Sequence, residues 1–75
     1  MMTMMMELEW VEGFEIAVSV QNDAVVVSAN RQGLLSLARH LTTLADARQR
    51  GAHLHLDEHN SLDDGSCELL IERTD

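Results

Sequence analysis

Between Arg31 and Arg50 the apolar residues Leu34, Leu37, Ala38, Leu41, Leu44 and Ala45 recur at three- and four-residue spacing, the stripe of an amphipathic helix. Asn30 is placed to cap its first turn and Gly51 to supply a left-handed stop. Arg48 and Arg50 gather at the last turn, where the helix dipole favours cations. A helix of about twenty residues is ~30 Å long, enough to cross a small sheet. The rest of the chain must supply that sheet.

It has the patterning to do so. "FEIAVSV" alternates Ile16, Val18 and Val20 with Ala17 and Ser19, "AVVVSA" is a β-branched run, and "QND" between them has turn chemistry. After the helix, Leu54 and Leu56 alternate with His53, His55 and Asp57, while Leu69 and Ile71 alternate with Glu68, Leu70 and Glu72. "DDGS" turns the chain between these two runs. "ELEW" also alternates, as a separate strand or as the front half of one bulged at Gly13. The expected fold is α+β, a four- or five-stranded mixed, mainly antiparallel sheet with one long helix on one face, in the order β-β-(β)-α-β-β. The helix makes the strands on either side of it parallel, with a right-handed crossover. The opposite face stays open and carries Glu15, Ala17, Ser19, His53, His55, Asp57, Glu68, Leu70 and Glu72, with Glu7 and Glu9 beside them. Residues 7–75 are expected to form a single domain behind a disordered Met-rich tail, residues 1–6.

A chain of 75 residues with one cysteine and no Cys-Cys or Cys-His pair at zinc spacing has neither disulfides nor a structural zinc to staple it. Packing has to suffice, helped where needed by oligomerisation. "MMTMMM" lacks Lys and Arg and meets "ELEWVE" too soon to be a signal peptide, and no apolar run reaches the ~20 residues of a membrane span. The default address is the reducing cytoplasm. Thirteen acids against five bases give a formal charge of −8, which argues against nucleic acid or an anionic membrane as ligand and favours a basic partner. Four of the five arginines (Arg31, Arg39, Arg48, Arg50) fall where the only acid is Asp46, so one element is basic and the remainder acidic.

"HLHLDEHN", residues 53–60, is the richest stretch chemically. His53, His55 and Asp57 lie two apart on a strand and project from one face, about 6.5 to 7 Å apart at Cα. Such a row can ligate zinc, nickel or copper, and it is equally an ordinary polar face displayed to solvent or to a partner. Cys67, in the register of Leu69 and Ile71, is expected in the core, away from the histidines, so no thiol triad forms. The pair Asp57 and Glu58 points to opposite faces, Asp63-Asp64-Gly65 is turn chemistry, and the isolated Gly33 and Gly65 make no phosphate loop. An enzyme is not expected, and no cofactor. Trp10 and Phe14, the only aromatics, suit the core, with Trp10 as an interface anchor if exposed; two aromatics and no basic groove give no stacking platform for nucleic acid.

Two stretches, "SANRQGLLSLARHLTTLA" (residues 28–45) and "GAHLHLDEHNSLDDGSCELLIER" (residues 51–73), together resemble immunity protein family 32, small bacterial proteins that neutralise the toxin domain of a polymorphic toxin system encoded alongside them. The specific part is His-Leu-Asp-Glu followed by Ser-Leu, Gly-Ser and Glu-Leu-x-Ile; the Gly-Leu-Leu helix is generic. The resemblance implies a non-catalytic toxin inhibitor. With the charge distribution, the surface expected to meet a basic toxin domain is His55, Asp57, Glu58, Asp63, Asp64, Glu68 and Glu72, with the helix side as the alternative. Two other readings stay open: a small metal-binding protein using His53, His55 and Asp57, and a self-associating accessory protein that forms a homodimer through the open face or an edge strand.

Overall fold

The computed structural model describes residues 8–75. The elements follow the order β1 (Ile16–Gln21), β2 (Ala24–Ala29), α1 (Arg31–Ala45), β3 (His53–Leu56) and β4 (Leu69–Glu72). The Met-rich tail and Glu7 lie outside the described residues. No helix among the described residues is long and apolar enough to cross a membrane.

β1 and β2 form the expected hairpin, in a register pairing Ile16 with Ala29 and Gln21 with Ala24. Its two-residue turn holds Asn22 and Asp23 at φ of 50° and 66°, the left-handed pair whose twist matches a hairpin and which Asn and Asp tolerate. The chain then enters α1 through Asn30. The side-chain oxygen of Asn30 accepts from the N–H of Gly33 at 2.7 Å and of Glu15 at 3.0 Å, and its amide donates to the carbonyl of Gly13. One side chain caps the helix and fastens its start to the segment before β1.

α1 is rotated from the expected orientation. Its buried residues are Gly33, Ser36, His40 and Leu44, with Leu37 packed at the edge of the core. Leu34, Ala38, Leu41 and Ala45 of the predicted stripe are exposed. The cause is close approach. A Cβ on Gly33 would stand 2.4 Å from the carbonyl oxygen of Glu15 and 2.9 Å from Ile16 Cγ1, so the glycine is what allows the helix to lie against β1. Residues 8–11 then run along the same side: the hydroxyl of Ser36 accepts from Val11 N–H at 2.8 Å, and His40 Nε2 donates to the carbonyl of Glu9 at 3.1 Å. Polar side chains face inward because main-chain groups of that segment are there to meet them.

The helix also ends sooner than expected, at Ala45, with Asp46 as its C-cap and no basic residue in the last turn. Arg48, Arg50 and Gly51 lie beyond it, and Gly51 takes its positive φ of 71° in the turn leading into β3. The cation at the helix end is Arg73, from the opposite end of the chain, which donates through Nη1 to the carbonyls of Ala45 (3.0 Å) and Ala47. Position selects it: Arg73 leaves β4 bonded through its own N–H to the carbonyl of Ala52, which brings its side chain to the end of α1.

The single four- or five-stranded sheet is replaced by two two-stranded antiparallel sheets, β1-β2 and β3-β4, with no parallel strand pair among the described residues. "ELEW" from Leu8 onward forms no strand. β1 is not left bare on its second side. Asp63 N–H donates to Ile16 O and Cys67 N–H to Val18 O, both at 2.8 Å, while Val18 N–H donates to Ser66 Oγ at 3.1 Å. The "DDGS" segment, expected as a plain turn, fills the place of a further strand and seams the two hairpins together. For the same reason Cys67, expected in the core, is exposed: it belongs to this seam and not to the alternation of β4.

Two buried clusters lie under this arrangement. Ile16, Val18, Leu56 and Leu62 form one, lined by Trp10, Phe14, Ala29, Leu37 and Leu69. Leu44, Ala52 and Leu54 form the other, lined by Ala47 and Ile71. Leu8 packs against both. Trp10 takes the core role, stacked on Phe14 with centroids 4.4 Å apart and meeting the edge of His40 at 4.2 Å.

Candidate functional site

β3 reads buried at Leu54 and Leu56 and exposed at His53 and His55, as a strand with one face on a core must. Its register with β4 sets His53 opposite Glu72 and His55 opposite Leu70. One more step outward along both chains brings Asp57 and Glu68 near each other. Of the expected face, the part made by His53, His55, Asp57, Glu68, Leu70 and Glu72 therefore exists, with Asp57 half-buried and the rest exposed; Ala17 and Ser19 lie on the separate β1-β2 sheet, and Glu15 just before it. Glu9 does not belong to the face either; its carboxylate lies on the helix side, 3.7 Å from Arg39, because residues 8–11 run along α1.

Within this face three side chains converge. His55 Nε2 is 2.5 Å from Glu68 Oε2 and 3.7 Å from Asp57 Oδ2, and ligand atoms of His55, Asp57 and Glu68 all lie within 4.8 Å of one another. His53, named in the sequence-based metal set, is not part of this group; Glu68 takes its place, reaching His55 from the diagonal position across the strand pair.

Asp57 also shapes the loop that follows. Its Oδ1 accepts from the N–H groups of His59 (2.9 Å) and Asn60 (3.0 Å), and its carbonyl accepts from Asn60, Ser61 and Leu62. Asn60 closes the loop in return, accepting from Asp57 N–H and donating to the carbonyl of His55, each at 3.0 Å. The carboxylate of Glu58 accepts from Gly65 N–H at 2.7 Å, which ties the start of the loop to its end. Asp63 and Asp64 are exposed on the outside of that loop. The seven residues named from sequence thus occupy one strand pair and the loop between its strands: His55, Asp57 and Glu68 together, Glu72 farther along the same face, Glu58, Asp63 and Asp64 on the loop.

Residues 51–72 hold six acids and no Lys or Arg, and Arg73 is turned away to the end of α1. The face is negative without an internal counter-charge other than what histidine supplies on protonation. Sequence reasoning missed Asn60 and Arg73, both of which act through main-chain carbonyls that no periodicity reveals. Glu68 as the partner of His55 follows from the cross-strand register, once that register is fixed.

None of the curated proteins and none of the solved structures compared with the chain matches it. The sequence pattern of the family Immunity protein 32 matches residues 24–74, a span that begins at β2 and takes in α1, β3, the loop and β4. By that match over most of its length, the chain belongs to the Immunity protein 32 family.

Proposed function

We propose that this protein is a non-catalytic immunity protein of the cytoplasm that neutralises a cognate toxin domain by covering it with the β3–β4 face and the loop of residues 57–68. The residues that meet the toxin on this reading are His55, Asp57, Glu58, Asp63, Asp64, Glu68 and Glu72. The observation that carries it is the gathering of six acids and no base over residues 51–72 on an exposed strand pair and its loop. A negative surface of that kind speeds encounter with a basic partner and rejects acidic ones. Family membership supplies the toxin-immunity role; the charge and exposure of the face supply the surface.

The test is binding of the toxin domain encoded beside this protein's gene, measured by calorimetry at low and high salt. Glu68→Lys with Glu72→Lys is expected to weaken binding by at least about tenfold, and the wild-type affinity is expected to fall as salt rises. Charge reversal that leaves affinity unchanged sinks the surface assignment, and binding that ignores salt sinks its electrostatic basis.

The convergence of His55, Asp57 and Glu68 favours one second reading. An imidazole and two carboxylates suit Zn²⁺ or a neighbouring divalent transition metal, with the remaining coordination positions filled by water or by a partner's side chain. Calorimetric titration with Zn²⁺ decides it. Stoichiometric binding abolished by His55→Ala and retained by His53→Ala supports the three-residue site, and no heat beyond dilution removes it.

A further inference from the structure

Among the described residues β2 is the longest strand whose outer edge is left open. In a hairpin closed by a two-residue turn, alternate pairs exchange hydrogen bonds and the pairs between them point their main-chain groups outward. Ile16 and Val18 are outward pairs, because their carbonyls are engaged from the far side by Asp63 and Cys67. Their partners across the hairpin are Ala29 and Val27, so these two, and Val25 by the same alternation, aim their N–H and C=O groups away from β1. Among the described residues nothing bonds to them.

The other edges are sealed or short: β4 is open on its outer side but only four residues long and ends on the charged Glu72. β1 is sealed by the 63–67 seam. β3 is four residues long and carries His53 and His55, and the His55 carbonyl is already taken by Asn60. β2 is six residues, "AVVVSA", with no charge, proline or glycine, the composition that proteins ordinarily avoid on a free edge. On one of its faces Val25 and Val27, 64% and 40% exposed, continue the row of Ile16 and Val18 beside an equally exposed Val20.

We propose that β2 pairs antiparallel with β2 of a second copy about a two-fold axis at Val27, joining the two β1-β2 hairpins into one four-stranded sheet. Val27 then faces Val27, and Val25 of each copy faces Ala29 of the other, with about six new main-chain hydrogen bonds, two for each facing pair. The two-fold makes the edge its own complement, so no other chain has to be matched to it. Charge points to the same occupant. A molecule of net charge −8 repels its own kind, yet residues 24–45 contain no acid at all, and β2 is where two copies meet with their acidic faces elsewhere. That arrangement leaves the β3–β4 face free, and the dimer stands whether or not that face binds a toxin.

The experiment is sedimentation equilibrium of the full chain, wild type beside Val27→Lys, Val27→Pro and Val27→Thr, with far-UV circular dichroism to confirm the fold. The wild type is expected to be a dimer. The Lys and Pro variants, which add like charges at the axis or remove an outward N–H without touching the β1-β2 ladder, are expected to raise the dimer dissociation constant by at least about tenfold, and the Thr variant to leave it unchanged. A wild type that sediments as a monomer at every concentration overturns the proposal, and so does a dimer that persists in both disruptive variants. A wild-type monomer whose toxin binding is lost in Val27→Lys overturns it in favour of a toxin strand as the occupant of this edge.

Discussion

At the scale of single residues, two positions decide how α1 sits. Gly33 is a close-packing residue: with the Glu15 carbonyl only 2.4 Å from where a Cβ would be, Gly33→Ala should push the helix off β1. Overpacking of this kind costs about 1–3 kcal/mol against about 1 kcal/mol gained in helix propensity, so a net loss is expected, read as a lower urea midpoint. His40 is fully buried. It donates Nε2–H to Glu9, and Nδ1 has no partner among the described residues. Burial lowers its pKa below the ordinary 6.5, outweighing the bond to Glu9. The folded state therefore binds this proton less readily than the unfolded state, and the stability that goes with neutral His40 is present above pH 6.5 and lost as pH falls from there through the folded pKa. Denaturation curves from pH 7.5 to 5 should show that loss, and His40→Gln, which keeps a donor toward Glu9, should flatten it. An equal slope in the variant would place the proton elsewhere.

At the scale of elements, the existence and type of β1 to β4 and α1 were legible, while "ELEW" alternates like a strand yet forms none from Leu8 onward, and orientation could not be read. Alternation in "FEIAVSV" and "HLHL" and the Asn30 cap identify β1, β3 and the start of α1, because local chemistry decides them. The buried face of α1 could not be read from its leucines. It is chosen by a glycine and by two polar side chains, Ser36 and His40, whose partners are main-chain groups 25 and 31 residues away. Nor does the composition of residues 46–51 disclose that the helix stops early and takes its cation from Arg73. That contact makes its own prediction: Arg73→Met should lower stability by about 1 kcal/mol with an unchanged denaturant slope, and Arg73→Lys should recover part of it. The same arginine, by hydrogen bond first and by charge second, holds the carboxyl of Asp75 below the usual carboxylate range.

At the scale of the whole molecule, the division of charge was legible from sequence, since it depends only on which segments hold acids. The division of the strands into two sheets was not, because it depends on three hydrogen bonds made by a segment with the composition of a turn. If the loop of residues 57–68 is where the toxin docks, binding also clamps the seam. The complex is then expected to melt at a higher temperature than the free protein, by an amount that grows with toxin concentration, and scanning calorimetry at increasing toxin excess checks it. The seam has a further consequence for how such a protein diversifies. At Asp63 and Cys67 it is built from main-chain N–H groups bonded to main-chain carbonyls, which almost any residue type can supply. If the toxin docks there, the side chains of Asp63, Asp64, Glu68 and Glu72 are free to be exchanged as that toxin drifts, so that recognition can be rewritten over generations on an unaltered scaffold.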